Sequence, residues 1–108
     1  GILEGPLLPH PISRVFFVNS SNQKPRGQHG HKKCWQTLIC LRGCIDLQMI
    51  DNQGGELFKS LTSAHEAVVI PPGIWAQQQG ISDDNLLLVL ASDLYDPADY
   101  FYDKPIVQ

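Results

Sequence analysis

CIDLQMIDNQGGELFKSL, Cys44 to Leu61, is the segment on which the fold turns. Ile45, Leu47 and Met49 alternate with Asp46 and Gln48. A period of two puts the apolar three on one face and the polar pair on the other, as in a half-buried strand. DNQGG (Asp51 to Gly55) follows, a turn with two glycines available for positive φ, and ELFKSL (Glu56 to Leu61) reads as the returning strand. The segment is a hairpin, and the fold starts from antiparallel pairing.

Outward from the hairpin the same texture continues. RVFFV (Arg14 to Val18), WQTLICLR (Trp35 to Arg42), EAVVI (Glu66 to Ile70) and NLLLVLAS (Asn85 to Ser92) are rich in branched or aromatic residues and bounded by Gly, Pro, Asn or Asp. LLLVL is too short for a stable helix and follows the turn-like GISDDN, so it too reads as a strand. Helical character is confined to the acidic end, DLYDPADYFYDKP, where Pro97 can open a single turn. Short strands at this spacing in 108 residues predict an all-β protein, a closed antiparallel sandwich or barrel. The chain reads as one domain over residues 1–108, open to a further upstream amino-terminal segment because it begins with Gly1 rather than Met.

Composition narrows the function. With 43% hydrophobic and 18% charged residues and a net charge of -3, the chain is ordinary for a globular protein and unsuited to bulk nucleic-acid binding. No apolar run approaches the roughly 18 residues of a membrane span, and no signal pattern opens the chain, so no membrane partner and a cytoplasmic location are expected. Cys34, Cys40 and Cys44 form no CxxC pair and read as reduced, small apolar residues.

RGQHGHKKCWQT, Arg26 to Thr37, carries the chemistry. One residue separates His29 from His31, so on a strand both project from the same face and act on one small volume. Lys24, Arg26, Lys32 and Lys33 surround them, an arrangement suited to an anion such as a diphosphate. Asp83, Asp84, Asp93, Asp96, Asp99 and Asp103 crowd the other end. For any one of these charges a solvated surface position is as good a reading as a functional one.

From His31, four residues lead to Gln36 and six more to Gly43, which resembles the first cupin motif, HxH, x4, E, x6, G. HEAVVIPPGIWAQQQG resembles the second: Pro71 and Gly73 match, whereas His65, Ala76 and Gly80 replace its glycine, histidine and asparagine. At a finer level RVFFV, PRGQHGHKK, LICLRG, VIPPGIW and LVLASDLYDPADY, in this order from Arg14 to Tyr102, resemble the dTDP-sugar 3,4-ketoisomerases.

That resemblance implies an RmlC-like cupin jelly roll and a homodimer with exchanged amino-terminal strands. It also implies a dTDP-linked keto-deoxysugar such as dTDP-4-keto-6-deoxyglucose, whose ketone moves from C4 to C3, and a catalytic pair at His29 and His31. No cofactor is expected, and no metal, because Gln36 and Ala76 stand where the cupin glutamate and last histidine ligate. Imidazole titrates in the right range to move a proton beside a ketone. Arg26 suits diphosphate or a developing enolate through its planar fork, with Lys33 as a further cation. Gln36 is a candidate for hydrogen bonding to substrate. Tyr95, Tyr100 and Tyr102 are expected to close the barrel end, with Tyr95 as a substrate contact. Trp35 and Trp75 read as core or dimer contacts, His10 and His65 as structural or exposed, and Cys34 as passive. Ala76 and Trp35 depart from the family pattern. Ala76 and the short amino terminus favour a second reading, a non-catalytic cupin that binds a nucleotide sugar, and a third is a nucleotide-sugar epimerase, which shares the basic pocket and the histidine base.

Overall fold

The computed structural model describes residues 8–20, 24–63 and 67–108. The strands are β1 (Arg14–Ser20), β2 (Pro25–His31), β3 (Gln36–Arg42), β4 (Cys44–Ile50), β5 (Glu56–Thr62), β6 (Ala67–Ile70), β7 (Trp75–Gly80), β8 (Asn85–Ala91) and β9 (Tyr100–Phe101). They form two antiparallel sheets, ordered β1-β8-β3-β6 and β5-β4-β7-β2-β9. The expected all-β sandwich is therefore observed. His65 and Glu66 lie outside the described residues.

The opening hairpin forms as its pattern dictates. Ile45, Leu47 and Met49 are 3%, 0% and 7% exposed and join the core between the sheets, with Leu38, Leu61, Leu87 and Val89. A Leu47→Ala truncation removes fully buried methyl groups and is expected to cost about 2–5 kcal/mol. Asp51 organises the turn: its Oδ1 accepts from the N–H groups of Gln53 and Gly55, both at 2.9 Å. Gly54 takes the positive φ, +83°, that the turn needs.

β7 escapes the sequence pattern. Gln77, Gln78 and Gln79 in a row offer no apolar alternation, yet the strand is paired on both sides, to β4 and to β2. Ladder hydrogen bonds from two neighbours override weak intrinsic strand preference. The turn before it also fixes β2, because Gly73 N–H donates to the His31 carbonyl at 2.8 Å. The helical turn expected at Pro97 is one 3-10 turn, Pro97–Asp99, capped by the Asp96 side chain accepting from Ala98 N–H.

Outside the four-stranded sheet, Val15 and Phe17 are 53% and 61% exposed, beside their cross-strand partners Leu90 and Leu88. His10 lies across this sheet near Thr37. Its Nδ1 donates to the Pro11 carbonyl and its Nε2 accepts from the Thr37 hydroxyl, each at 2.7 Å, so it is a structural residue. Among the described residues no helix is long and apolar enough to cross a membrane.

Candidate functional site

A cavity of about 210 Å³ opens between the sheets. Phe16, Val18, Leu38, Ile70 and Val89 form its apolar wall; Arg26, His29, Gln36, Gln78 and Tyr100 form its polar one. β2 supplies the polar wall by an irregularity. Its register with β7 runs Arg26 to Gln78 and Gly27 to Gln77, then shifts so that His29 faces Ala76. Gly27 and Gln28 take positive φ, +81° and +55°, and absorb one extra residue as a bulge. A Cβ on Gly27 would press on Gln78 Oε1, 2.5 Å away. The Gln28 side chain turns outward and donates to Gln77 Oε1 at 3.0 Å.

The bulge also sets a proton. Gly27 O accepts from His29 Nδ1 at 2.8 Å. In the neutral ring Nδ1 is then protonated and Nε2 is left as the bare lone pair, on a side chain that lines the cavity.

His31 stands behind His29 with ring centroids 5.1 Å apart and the rings nearly perpendicular. Its Nδ1 donates to Asp99 Oδ2 at 2.9 Å, both side chains are buried, and its Nε2 is buried without a partner. Burial pushes the His31 ring below its ordinary range, against the Asp99 hydrogen bond, and the charges of His29 and Arg14 push the same way. The ring is neutral near pH 7. Burial acts to raise the Asp99 carboxyl, but the bonds from His31 and from Lys33 N–H, at 2.7 Å to Oδ1, hold it below the usual carboxylate range. The reading of Asp99 as part of a solvated acidic tail is corrected here: it is 5% exposed. Because the 3-10 turn swings the chain back under β2, a carboxylate 68 positions away meets His31.

Tyr100 closes the polar wall, with ring centroids 4.7 Å from His29 and 4.4 Å from His31. Of the residues singled out from sequence, Arg26, His29 and Gln36 line the cavity and His31 backs it. Lys33 is exposed, and the group it directs inward is its backbone N–H. Tyr95 sits at the rim, 64% exposed, with its ring 5.7 Å from that of Tyr100. Trp75 is buried and donates from Nε1 to the Tyr102 carbonyl at 3.3 Å. Sequence reasoning missed Asp99, Gln78 and the bulge. An odd spacing between Arg26 and His29 was the available signal for the bulge, since two residues needed on one face of a strand differ by an even number.

The described residues gather one possible donor set for a cation: His31, Cys34 and Asp99, with ligand atoms within 4.8 Å of one another. Each donor already has a use there, His31 and Asp99 in their mutual bond and Cys34 Sγ against the Trp35 carbonyl at 3.4 Å.

Comparison with known proteins gives the same picture from another side. The family described as WxcM-like, C-terminal (FdtA) matches residues 3–105. A TDP-4-oxo-6-deoxy-alpha-D-glucose-3,4-oxoisomerase from Aneurinibacillus thermoaerophilus is 35% identical over 102 residues, 92% of this chain and 71% of that protein. The sugar 3,4-ketoisomerase QdtA from Thermoanaerobacterium thermosaccharolyticum, solved in complex with TDP, superposes with a TM-score of 0.86 at 32% identity, over 94% of this chain and 75% of its own. The TDP-quinovose 3,4-ketoisomerase WlaRB from Campylobacter jejuni superposes with a TM-score of 0.85 at 30% identity, over 95% and 79%.

Proposed function

Because the chain belongs to the WxcM-like, C-terminal (FdtA) family, we propose that it is a sugar 3,4-ketoisomerase acting on a TDP-linked 4-keto-6-deoxyhexose, with His29 and His31 as its acid/base groups and no metal. Its relatives of known activity isomerise TDP-sugars. The observation that carries the reading to this chain is His29: its Nδ1 donates to Gly27 O, and its ring lines a cavity with Arg26, Gln36 and Tyr100.

The chemistry follows from that placement. A base takes the hydrogen from C3 of the sugar, and the electron pair moves into the C4 carbonyl to give an enediolate. A proton then adds at C4, the C3 hydroxyl gives up its hydrogen, and the C4 oxygen gains one. One hydrogen has moved between carbons and one between oxygens, so no redox partner is needed. His29 Nε2 on the cavity wall suits the step at carbon, while His31, held by Asp99, stands beside it as a neutral imidazole. General acid/base work of this kind contributes about 10²–10⁴-fold. Arg26 at the cavity edge suits the diphosphate. Gln36 and Gln78 line the same space and suit sugar hydroxyls, whereas the outward Gln28 and Gln77 bind each other. Lys33 and Tyr95 stand at the periphery of the histidine end, where Tyr95 suits a contact with the sugar. Metal independence is supported by Gln36 and Ala76, which leave the usual cupin ligand positions without a carboxylate and an imidazole.

A homodimer is supported by the apolar outer face around Phe17, and a cytoplasmic location by the substrate class and the free thiols. Ala76 opposite His29 favours a second reading, a cupin that binds a nucleotide sugar without turning it over. Incubation with dTDP-4-keto-6-deoxyglucose in deuterated buffer, followed by NMR, decides between them. Ketone migration with deuterium at C4 is expected; tight thymidine diphosphate binding without exchange would support the non-catalytic reading.

A further inference from the structure

Arg14 has no role in the site as described, yet its placement is costly. On β1 the residues facing inward are Arg14, Phe16 and Val18, while Val15 and Phe17 face solvent. Phe16 and Val18 line the cavity. The next position on the same face is Arg14, whose guanidinium carbon lies 5.0 Å from the Phe16 ring centroid and 5.7 Å from that of Tyr95. Its Nε is buried and without a hydrogen-bond partner. Among the described residues the ion pairs are His31 with Asp99 and Arg42 with Asp84; none involves Arg14. The two ring faces partner the charge, but the orphaned donor leaves room for an anion that the protein itself does not supply.

Arg26 lines the cavity, and Arg14 stands next to its wall, behind Phe16 on the same face of β1. Arg26 lies near Val18 and Ser20, at the far end of β1 from Arg14. Four strand residues separate Val18 from Arg14, roughly 13 Å at the usual rise of a strand. Tyr95 beside Arg14 stacks toward Tyr100, and Tyr100 contacts both histidines, so the Arg14 end is the histidine end. One diphosphate cannot span both cations with a sugar between them.

We propose that Arg14 is the oxyanion ligand of the reaction, holding the enediolate oxygen that appears when the C3 hydrogen leaves, while Arg26 holds the diphosphate. This rests on the ketoisomerase reading above and adds a division of labour to it. A fixed cation aimed at charge that exists only in the transition state and intermediate lowers the barrier without tightening substrate binding.

The test uses thymidine diphosphate and acetohydroxamate, a planar anion with two adjacent oxygens like those of an enediolate. Wild type, Arg14→Met, Arg14→Lys and Arg26→Met are first compared by thermal melting, then saturated with thymidine diphosphate and titrated with acetohydroxamate by calorimetry. Wild type should bind acetohydroxamate, Arg14→Met should lose it, and Arg14→Lys should retain part of it. Removing one such donor is expected to slow turnover by about 10²–10³-fold with thymidine diphosphate affinity changed by less than about twofold. Arg26→Met should show the reverse emphasis, losing nucleotide affinity first. Failure of wild type to bind acetohydroxamate, unchanged turnover in Arg14→Met, or nucleotide affinity lost equally in the two Met variants would each overturn the assignment. If wild type binds both probes, Arg14→Met loses acetohydroxamate and no ketone migrates, the oxyanion site stands and the ketoisomerase reading fails.

Discussion

Arg26 and His29 line the same cavity although three positions separate them, a spacing that on a regular strand points two side chains to opposite faces. The bulge at Gly27 and Gln28 reverses the parity, and its carbonyl fixes the His29 proton. Gly27→Val, which rejects a φ of +81° and whose Cβ would meet Gln78 Oε1, should therefore straighten the strand at constant length and turn Arg26 out of the cavity. Thymidine diphosphate affinity, measured by calorimetry, is expected to fall at least about tenfold, the loss of one or more charge-assisted hydrogen bonds. Gln28→Gly, which keeps the bulge and suits its φ of +55°, should leave affinity unchanged. Equal affinity in Gly27→Val would show that the bulge does not deliver Arg26.

His29→Asn and His31→Asn should separate binding from turnover. Asparagine hydrogen-bonds but does not cycle protons near pH 7, so each variant should bind thymidine diphosphate normally and lose about 10²–10⁴-fold in deuterium incorporation. Normal turnover in both would reduce the pair to polar strand residues.

Burial of His31 and the hydrogen bonds that Asp99 accepts make acid the weak side of the protein. The His31 ring titrates lower in the fold than the ordinary 6.5 of a histidine, so below that value the unfolded chain takes up a proton that the folded chain refuses. Asp99 is also depressed, so its contribution is present above the unfolded carboxylate range and is lost as pH falls through the folded value. Both effects make stability rise with pH on the acid side, and neither removes stability at alkaline pH. Asp99→Asn removes a buried carboxylate that accepts from a neutral ring and from Lys33 N–H, and is expected to cost about 1.5–3 kcal/mol. Its urea midpoint should lie well below wild type at pH 7, with the gap narrowing toward pH 3. A pH-independent gap would mean that the carboxylate charge is not what matters.

The residues that were legible before the structure share one property: their signal is local. Ile45, Leu47 and Met49 announce their strand by alternation, and the HxH pair announces a shared face by its own spacing. β7 was hidden because its identity as a strand comes from two neighbours rather than from Gln77, Gln78 and Gln79. Asp99 was hidden because its burial depends on a partner 68 positions away. Arg14 reads within RVFFV as part of a strand, but alternation says only that it faces inward with Phe16, not that its Nε is left without a hydrogen-bond partner there.

The outer face of β1 and β8 bears on assembly. Phe17 and Val15 stand exposed beside Leu88 and Leu90, an apolar row where a solvated sheet face normally carries polar residues. A second copy is the occupant expected there. Phe17→Lys places a charge at its centre without disturbing the inward Phe16. Light scattering should give a dimer mass for wild type and a shift toward monomer for the variant. A monomeric wild type at micromolar concentration would count against the homodimer.

Gly30 sits between the two histidines, and the fold leaves it no freedom. It pairs with Phe101 across β2 and β9, and a Cβ there would run into the Phe101 ring and lie 2.6 Å from the Ile74 carbonyl. The contact is tight because β9 must lie close for Tyr100 to reach both rings and for Asp99 to reach His31. Gly30→Ala should therefore push β9 away and loosen the histidine pair. The expected destabilisation is about 1–3 kcal/mol, the usual range for forcing extra atoms into a packed site, read as a lower urea midpoint. Trimming the obstructing ring as well, in Gly30→Ala with Phe101→Leu, should recover part of both stability and turnover, because the clash with the ring is then relieved while the backbone of β9 is kept. Additive losses in the double variant would show that the two residues do not press on one another.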